Sequence, residues 1–202
     1  MLALDYLFQH RTALPANPDI VLIGIDNISI EKIGRWPWPR SYHGQLISAL
    51  KEAGAKVIGF DVLFTEPSDK PAEDQALIQA MAESKNVFLA FYFNDITGLP
   101  SGSQPVLPVP AMRKAAAGIC PINGPSDRDG IIRSIPLLVI RANDRLYPTL
   151  GLGLTLSYLN IPPERLKLNR GHLEITGSQG QKLLIPMDRR GRMIVNLYVF
   201  SN

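Results

Sequence analysis

Two apolar runs that each stop at an aspartate constrain the fold of this chain more than any other feature. Ile20-Val21-Leu22-Ile23-Gly24-Ile25 leads without a polar residue into Asp26, and Val57-Ile58-Gly59-Phe60 leads into Asp61. A strand that is apolar at every position is suited to burial on both faces, the situation inside a parallel sheet covered by helices. Between the runs, 41–53 places Tyr42, Leu46, Leu50 and Ala53 on one helical face and stops at Gly54. A second helix is expected over 72–83, with Ala76, Leu77, Ala80 and Met81 inward, followed by a third strand over 86–93. Strand, helix, strand, helix, strand predicts parallel pairing with right-handed crossovers. The expected fold is therefore α/β: a three-layer core with a mixed sheet, its first three strands parallel, and an antiparallel C-terminal meander.

The rest of the chain fits one domain spanning 1–202, with 14–93 as the βαβαβ core. Residues 94–110 hold four prolines and two glycines and read as an excursion from it. Residues 111–202 supply a strand, a helix and an antiparallel extension. The strand is expected over 131–140, with Pro136 marking an edge or a bulge. The helix is expected over 149–160, where Gly151 and Gly153 suit close packing better than phosphate binding. From Arg165 onward, Asn-Arg-Gly, Ser-Gln-Gly and Asp-Arg-Arg-Gly mark hairpin turns. An apolar content of 46% supplies a core, and the net charge of +3 is too scattered for a nucleic-acid footprint. Cys120 is the one cysteine, so no internal disulfide and no Cys/His metal spacing exist, and no cofactor is expected. The apolar run over 150–161 is shorter than a membrane span. No basic region precedes Leu2, so the residues alone read as soluble and unexported.

Both tryptophans fall within Gly34-Arg35-Trp36-Pro37-Trp38-Pro39-Arg40. The prolines fix their own φ and push each preceding Trp toward extended geometry, giving a stiff ribbon that either caps a core or presents a binding face. Asp26 and Asp61 are the sharpest chemical feature, because the carboxyl ends of strands in an open parallel sheet form its ligand crevice. On neighbouring strands ~4.8 Å apart, the two carboxylates would lie roughly 5–8 Å from each other. Such a pair suits a divalent cation or an acid/base couple. Alternatively, both accept bonds from loop amides and from Arg35 or Arg40. Glu66 either adds a third carboxylate or helps to start the following helix. Arg40, beside Ser41 and His43 at a helix start, suits an anion, or else pairs with Asp26 or Asp61. His43 is expected half-exposed. Asp127-Arg128-Asp129-Gly130 lacks the later ligands of a calcium loop and reads as a turn, with Arg133 on the same rim as Asp129. No Walker loop, Ser-His-Asp order or His-Glu-x-x-His motif is present, and no catalytic residue is assigned.

Five segments carry a family resemblance. They are Ile25-Asp26-Asn27-Ile28-Ser29, the Trp-Pro-Trp-Pro-Arg element, Gly59-Phe60-Asp61-Val62-Leu63-Phe64-Thr65-Glu66-Pro67, Asp129-Gly130-Ile131-Ile132-Arg133-Ser134-Ile135-Pro136, and Ile185-Pro186-Met187-Asp188 with Gly191 and Val195-Asn196. In order and spacing they resemble the type-two CHASE domain, an extracytoplasmic sensory module of bacterial membrane receptors. The resemblance implies a non-catalytic sensor, flanked by membrane helices and followed by a cyclase, histidine kinase, Ser/Thr kinase or diguanylate-type output. It further implies a homodimer formed through the parent receptor, a small-molecule or ionic cue, and a chain excised from a longer one, with a C-terminal strand missing. Candidate ligand-binding residues are Asp26, Ser29, Arg35, Trp36, Trp38, Arg40, Asp61 and Glu66, with Asp26 and Asp61 as weak metal candidates. Two alternatives stay open. One is a metal-dependent hydrolase-like domain using Asp26, Asp61 and Glu66, and the other is a structural module that sets dimer geometry without a ligand.

Overall fold

The computed structural model describes residues 6, 10, 17–94, 104–124, 126–127, 129–140 and 146–195. They fall into two compact units, the described residues of 1–38 with those of 195–202, and the described residues of 39–194.

In the first unit, α1 (Asn27–Ile33) follows a segment without regular secondary structure. That segment is residues 20–25, expected above as a doubly buried strand. It joins no ladder among the described residues and stands exposed, Leu22 at 87% and Ile20 at 75%. A continuous apolar run states a preference for burial but fixes neither partner nor register.

The second unit carries the α/β core. α2 (Arg40–Glu52) starts behind Pro39, and its end satisfies its carbonyls in sequence. The Gly54 N–H donates to Lys51 O and the Ala55 N–H to Leu50 O, with Gly54 at φ +84°. This is the Schellman arrangement that a left-handed glycine permits. β1 (Ile58–Phe60) follows, then α3 (Pro71–Ser84), whose Pro71 sits in the first turn where no N–H is missed. β2 (Val87–Phe93) pairs parallel with β1, Ile58 opposite Val87. β3 (Pro105–Val106) adds antiparallel to the end of β2, and α4 (Pro110–Ala115) leads into β4 (Gly118–Pro121), which pairs parallel with β2. The third parallel strand is thus Gly118–Pro121, in place of 20–25. Its glycine, its proline and its four-residue length hid it from pattern reading.

β5 (Ser134–Pro136) and β6 (Leu138–Ile140) divide the expected 131–140 strand at Leu137. The Leu137 carbonyl leaves the ladder to accept from the Thr149 N–H and Oγ1. β7 (Leu146–Pro148) pairs with β6, and α5 (Leu150–Tyr158) follows. A short 3-10 turn, Pro163–Arg165, opens the meander β8 (Leu166–Asn169), β9 (His172–Thr176) and β10 (Lys182–Pro186). Gly171 and Gly180 take positive φ in its two turns. β11 (Arg192–Ile194) pairs antiparallel with β5.

Three layers result. On one face of the parallel sheet, Ile47 of α2, Leu77 and Met81 of α3, and Met112 of α4 pack against Ile58, Phe60, Val87 and Leu89. On the other lies α5, close enough that a Cβ on Gly59 would sit 2.5 Å from Leu154, and one on Gly153 2.5 Å from Cys120 Sγ. Gly153 therefore serves close packing as expected, whereas Gly151 faces open space. α5 is apolar nearly all round because its other side, Leu152 and Leu156, joins Leu173 and Ile175 in a second core under the meander. The buried stripe of α2 runs through His43, Gly44 and Ile47, one position round from the Tyr42–Leu46 face expected; Tyr42 is exposed. Gly44 sets that rotation, since its missing Cβ lets α2 approach Ala76 O of α3. Ala76, expected inward, is exposed beside this contact.

Candidate functional site

The candidate residues divide between the two units, so each set has its own geometry. In the first unit Asp26 is the N-cap of α1. Its Oδ1 accepts from the Ser29 amide at 2.8 Å and from Ser29 Oγ at 2.7 Å, while Ser29 Oγ accepts from the Asp26 amide at 2.8 Å. This reciprocal capping box holds the Asp26 carboxyl below its ordinary range, with the Ser29 hydroxyl as the largest cause. Within its unit, Asp26 thus accepts from a loop amide, as one of the two readings expected, and from the hydroxyl of the same Ser29. Arg35 is exposed and has no ion pair among the described residues.

Trp36 and Trp38 meet edge to face, with centroids 5.5 Å apart at 73°, across a cis Trp36–Pro37 bond. Trp38 Nε1 donates to Gly34 O at 2.7 Å. Both indoles are half-buried. An aromatic contact within the ribbon and one indole–carbonyl bond both help to organise it.

In the second unit the carboxyl end of β1 opens onto residues 61–70. Asp61 directly follows the strand, is exposed, and has no hydrogen bond or ion pair among the described residues. Glu66 is exposed as well, and what binds Arg40 is its backbone carbonyl. Arg40 pairs with Asp74 and lies over the Phe64 ring at 5.5 Å. The acid that answers Arg40 is therefore Asp74, from the first turn of α3. Asp74 also accepts from the Ser68 amide at 3.1 Å. Glu73 accepts from the Ser41 amide at 2.7 Å, and the Ser41 hydrogen bonds hold its carboxyl below its ordinary range. A carboxylate of the chain itself thus occupies the anion-favouring N-terminus of α2. The acids in the first turn of α3 are Glu73 and Asp74, which fill the helix-starting role considered for Glu66.

His43 lies one turn after Arg40 and is buried, against the half-exposed position expected. Its ring meets Phe60 at 5.8 Å and Phe64 at 5.6 Å, both edge to face. Burial first, and the charge of Arg40 second, hold its pKa below the ordinary 6.5.

A third cluster lies around Arg133, which is buried. Nη1 donates to Asp127 Oδ2 at 3.1 Å and to Asp129 Oδ1 at 3.0 Å, and Nη2 donates to Asp129 Oδ2 at 2.9 Å. Gly130, at φ +81°, closes the Asp-Gly turn with its N–H on Asp127 O. The expected turn and the shared position of Arg133 and Asp129 are both present. The two carboxylates neutralise the buried guanidinium, so the cluster is spent on folding the loop.

An open groove of about 460 Å³ runs between α2 and α3, lined by Gly44, Ser48, Ala76 and Ala80, with Glu52 and Glu83 near the helices' C-terminal ends. Among the described residues no group of three His, Cys, Asp or Glu side chains could hold a metal ion, and no helix is long and apolar enough to cross a membrane. Sequence reasoning missed Glu73, Asp74 and the burial of His43. The acidic pair at a proline-led helix start was the signal available for the first two.

Comparison with protein families matches residues 1–201 to the CHASE2 domain. No curated protein and no solved structure matches the chain.

Proposed function

The chain belongs to the CHASE2 domain family, an extracellular sensory domain family of receptors, and on that premise we propose that it is the non-catalytic, cue-receiving part of a transmembrane receptor. The observation that carries this reading is the extent of the family match, which spans essentially the whole chain. In the full receptor, flanking membrane helices would carry the signal to a cyclase, histidine kinase, Ser/Thr kinase or similar output. Pairing of two receptors would set the geometry of that output. A cue acts only by binding two conformations with different affinities, so its site must contain groups not already committed to the fold. Asp61 is such a group, at the carboxyl end of a parallel strand, with Glu66 on the same connecting segment. In the first unit, Arg35 is the corresponding group, exposed and beside the two indoles in sequence. Asp26 and Ser29 in the first unit, and Arg40 in the second, already hold internal partners.

The test is a thermal melt read by tryptophan fluorescence against divalent cations, inorganic anions and small metabolites. A saturable rise in Tm with one compound, abolished by Asp61→Asn, supports a ligand sensor and names its class. A cooperative melt that no compound shifts overturns the ligand reading and leaves a module of dimer geometry. Turnover of a phosphate or peptide ester that disappears with Asp61→Asn would instead establish a hydrolase.

A further inference from the structure

We propose that His43 makes the segment after β1 acid-sensitive, so that a proton is itself a cue this domain can receive. The inference deepens the sensory reading above and rests on it.

The geometry begins with the first turn of α2, which holds the segment over 61–70 by several contacts. The His43 ring packs edge-on against Phe64 as well as Phe60. Arg40, one turn earlier, lies over the same Phe64 ring and donates to the Glu66 carbonyl. Arg40 is fixed in turn by Asp74, whose second oxygen accepts from the Ser68 amide. One titratable ring and one permanent cation therefore grip the segment that carries the unengaged Asp61.

Among the described residues, α2, α3 and the segment after β1 carry charges around the imidazole. On its own helix, Arg40 opposes a second positive charge. On α3, Asp74 is committed to Arg40, and Glu73 to the Ser41 amide. From β1 and the segment after it come two phenyl rings, while the carboxylates of Asp61 and Glu66 are exposed. The surroundings suit a neutral ring and disfavour an imidazolium.

The sign follows from linkage. The folded-state pKa lies below the unfolded value, so the unfolded or opened state binds the extra proton more readily. The contribution of His43 is fully present above about pH 6.5 and is lost as the pH falls from there toward the folded-state value. Acid therefore favours states in which His43 has left the phenyl rings. The least costly such state releases 61–70 from α2 while the sheet stays intact.

Hydrogen exchange on the full 202-residue chain tests this, with rates corrected for the intrinsic effect of pH. Between pH 7.5 and 5, exchange over 61–70, and at the Val109 amide that donates to Phe64 O, is expected to accelerate ~5-fold or more, with a midpoint below 6.5. Amides of β2 should hold their protection. His43→Gln and the shape-retaining His43→Phe should each remove the step, and His172→Gln should keep it. If His43→Gln does not fold, His43→Phe alone decides. A flat profile in the wild type, a step that survives His43→Phe, or acceleration spread evenly through β2 would overturn the proposal. A flat profile leaves the compound screen above untouched. A step in a chain whose melt no compound shifts would leave the proton as the cue.

Discussion

The parallel sheet and the C-terminal meander, both in the second unit, are built from similar apolar residues and are enclosed very differently. In β2, Val87, Leu89, Ala90, Phe91 and Phe93 are buried: Val87 and Leu89 under the helices, Phe91 and Phe93 under Leu107, Ile119 and Tyr147. In β9 only Leu173 and Ile175 are buried, alternating with partly exposed His172, Glu174 and Thr176. β10 keeps Leu183 and Leu184 half in water. What sets the energetic weight of a leucine here is the number of layers over its strand, more than its hydrophobicity.

Four substitutions would break or sharpen that contrast. Leu89→Ala should cost the most, ~3–5 kcal/mol in chemical denaturation, since a site closed on both sides cannot collapse around the cavity. Leu173→Ala, equally buried but on a one-sided sheet, should cost ~2–3 kcal/mol; equal losses would show the meander to be as enclosed as the core. Gly153→Ala should cost ~1–3 kcal/mol through the clash with Cys120 Sγ. A double-mutant cycle with Cys120→Ala should recover a good part of that loss, and strict additivity would deny the contact. Leu184→Lys on the exposed face of β10 should fall within ~0.5 kcal/mol of wild type. Apart from this series, Trp36→Ala reads the ribbon. A loss of ~1–2 kcal/mol fits a half-buried indole, and one under ~0.5 kcal/mol favours a binding platform.

Much of the core was legible in the sequence because its boundaries are written locally. Gly54 and Pro71 end and start helices through their own backbone preferences, and the meander turns fall at Gly171 and Gly180. Pairing is not local, and there the reading failed. Residues 20–25 look more like a buried strand than Gly118–Pro121 does, yet the latter carries the ladder. The same limit separates the site residues. Asp26 meets a group three positions away, whereas Arg40 meets Asp74 across 34 positions. Nothing in spacing selects that acid over Asp61. The one-position rotation of α2 had a local cause, Gly44, whose effect appears only once α3 lies against it.

The close approach of α5 to β4 also bears on the chain's survival outside the cytoplasm. Cys120 is the one cysteine, and an unpaired thiol in an oxidising space invites cross-linking to a second molecule. Here Gly153 lets the helix seat directly on the sulfur, and burial pushes the thiol pKa up to about 11. At pH 7 about one molecule in ten thousand would then carry the reactive thiolate. Exchange needs both that thiolate and a path to it, and the helix closes the path. The packing that completes the three layers thereby also shields the sulfur from exchange.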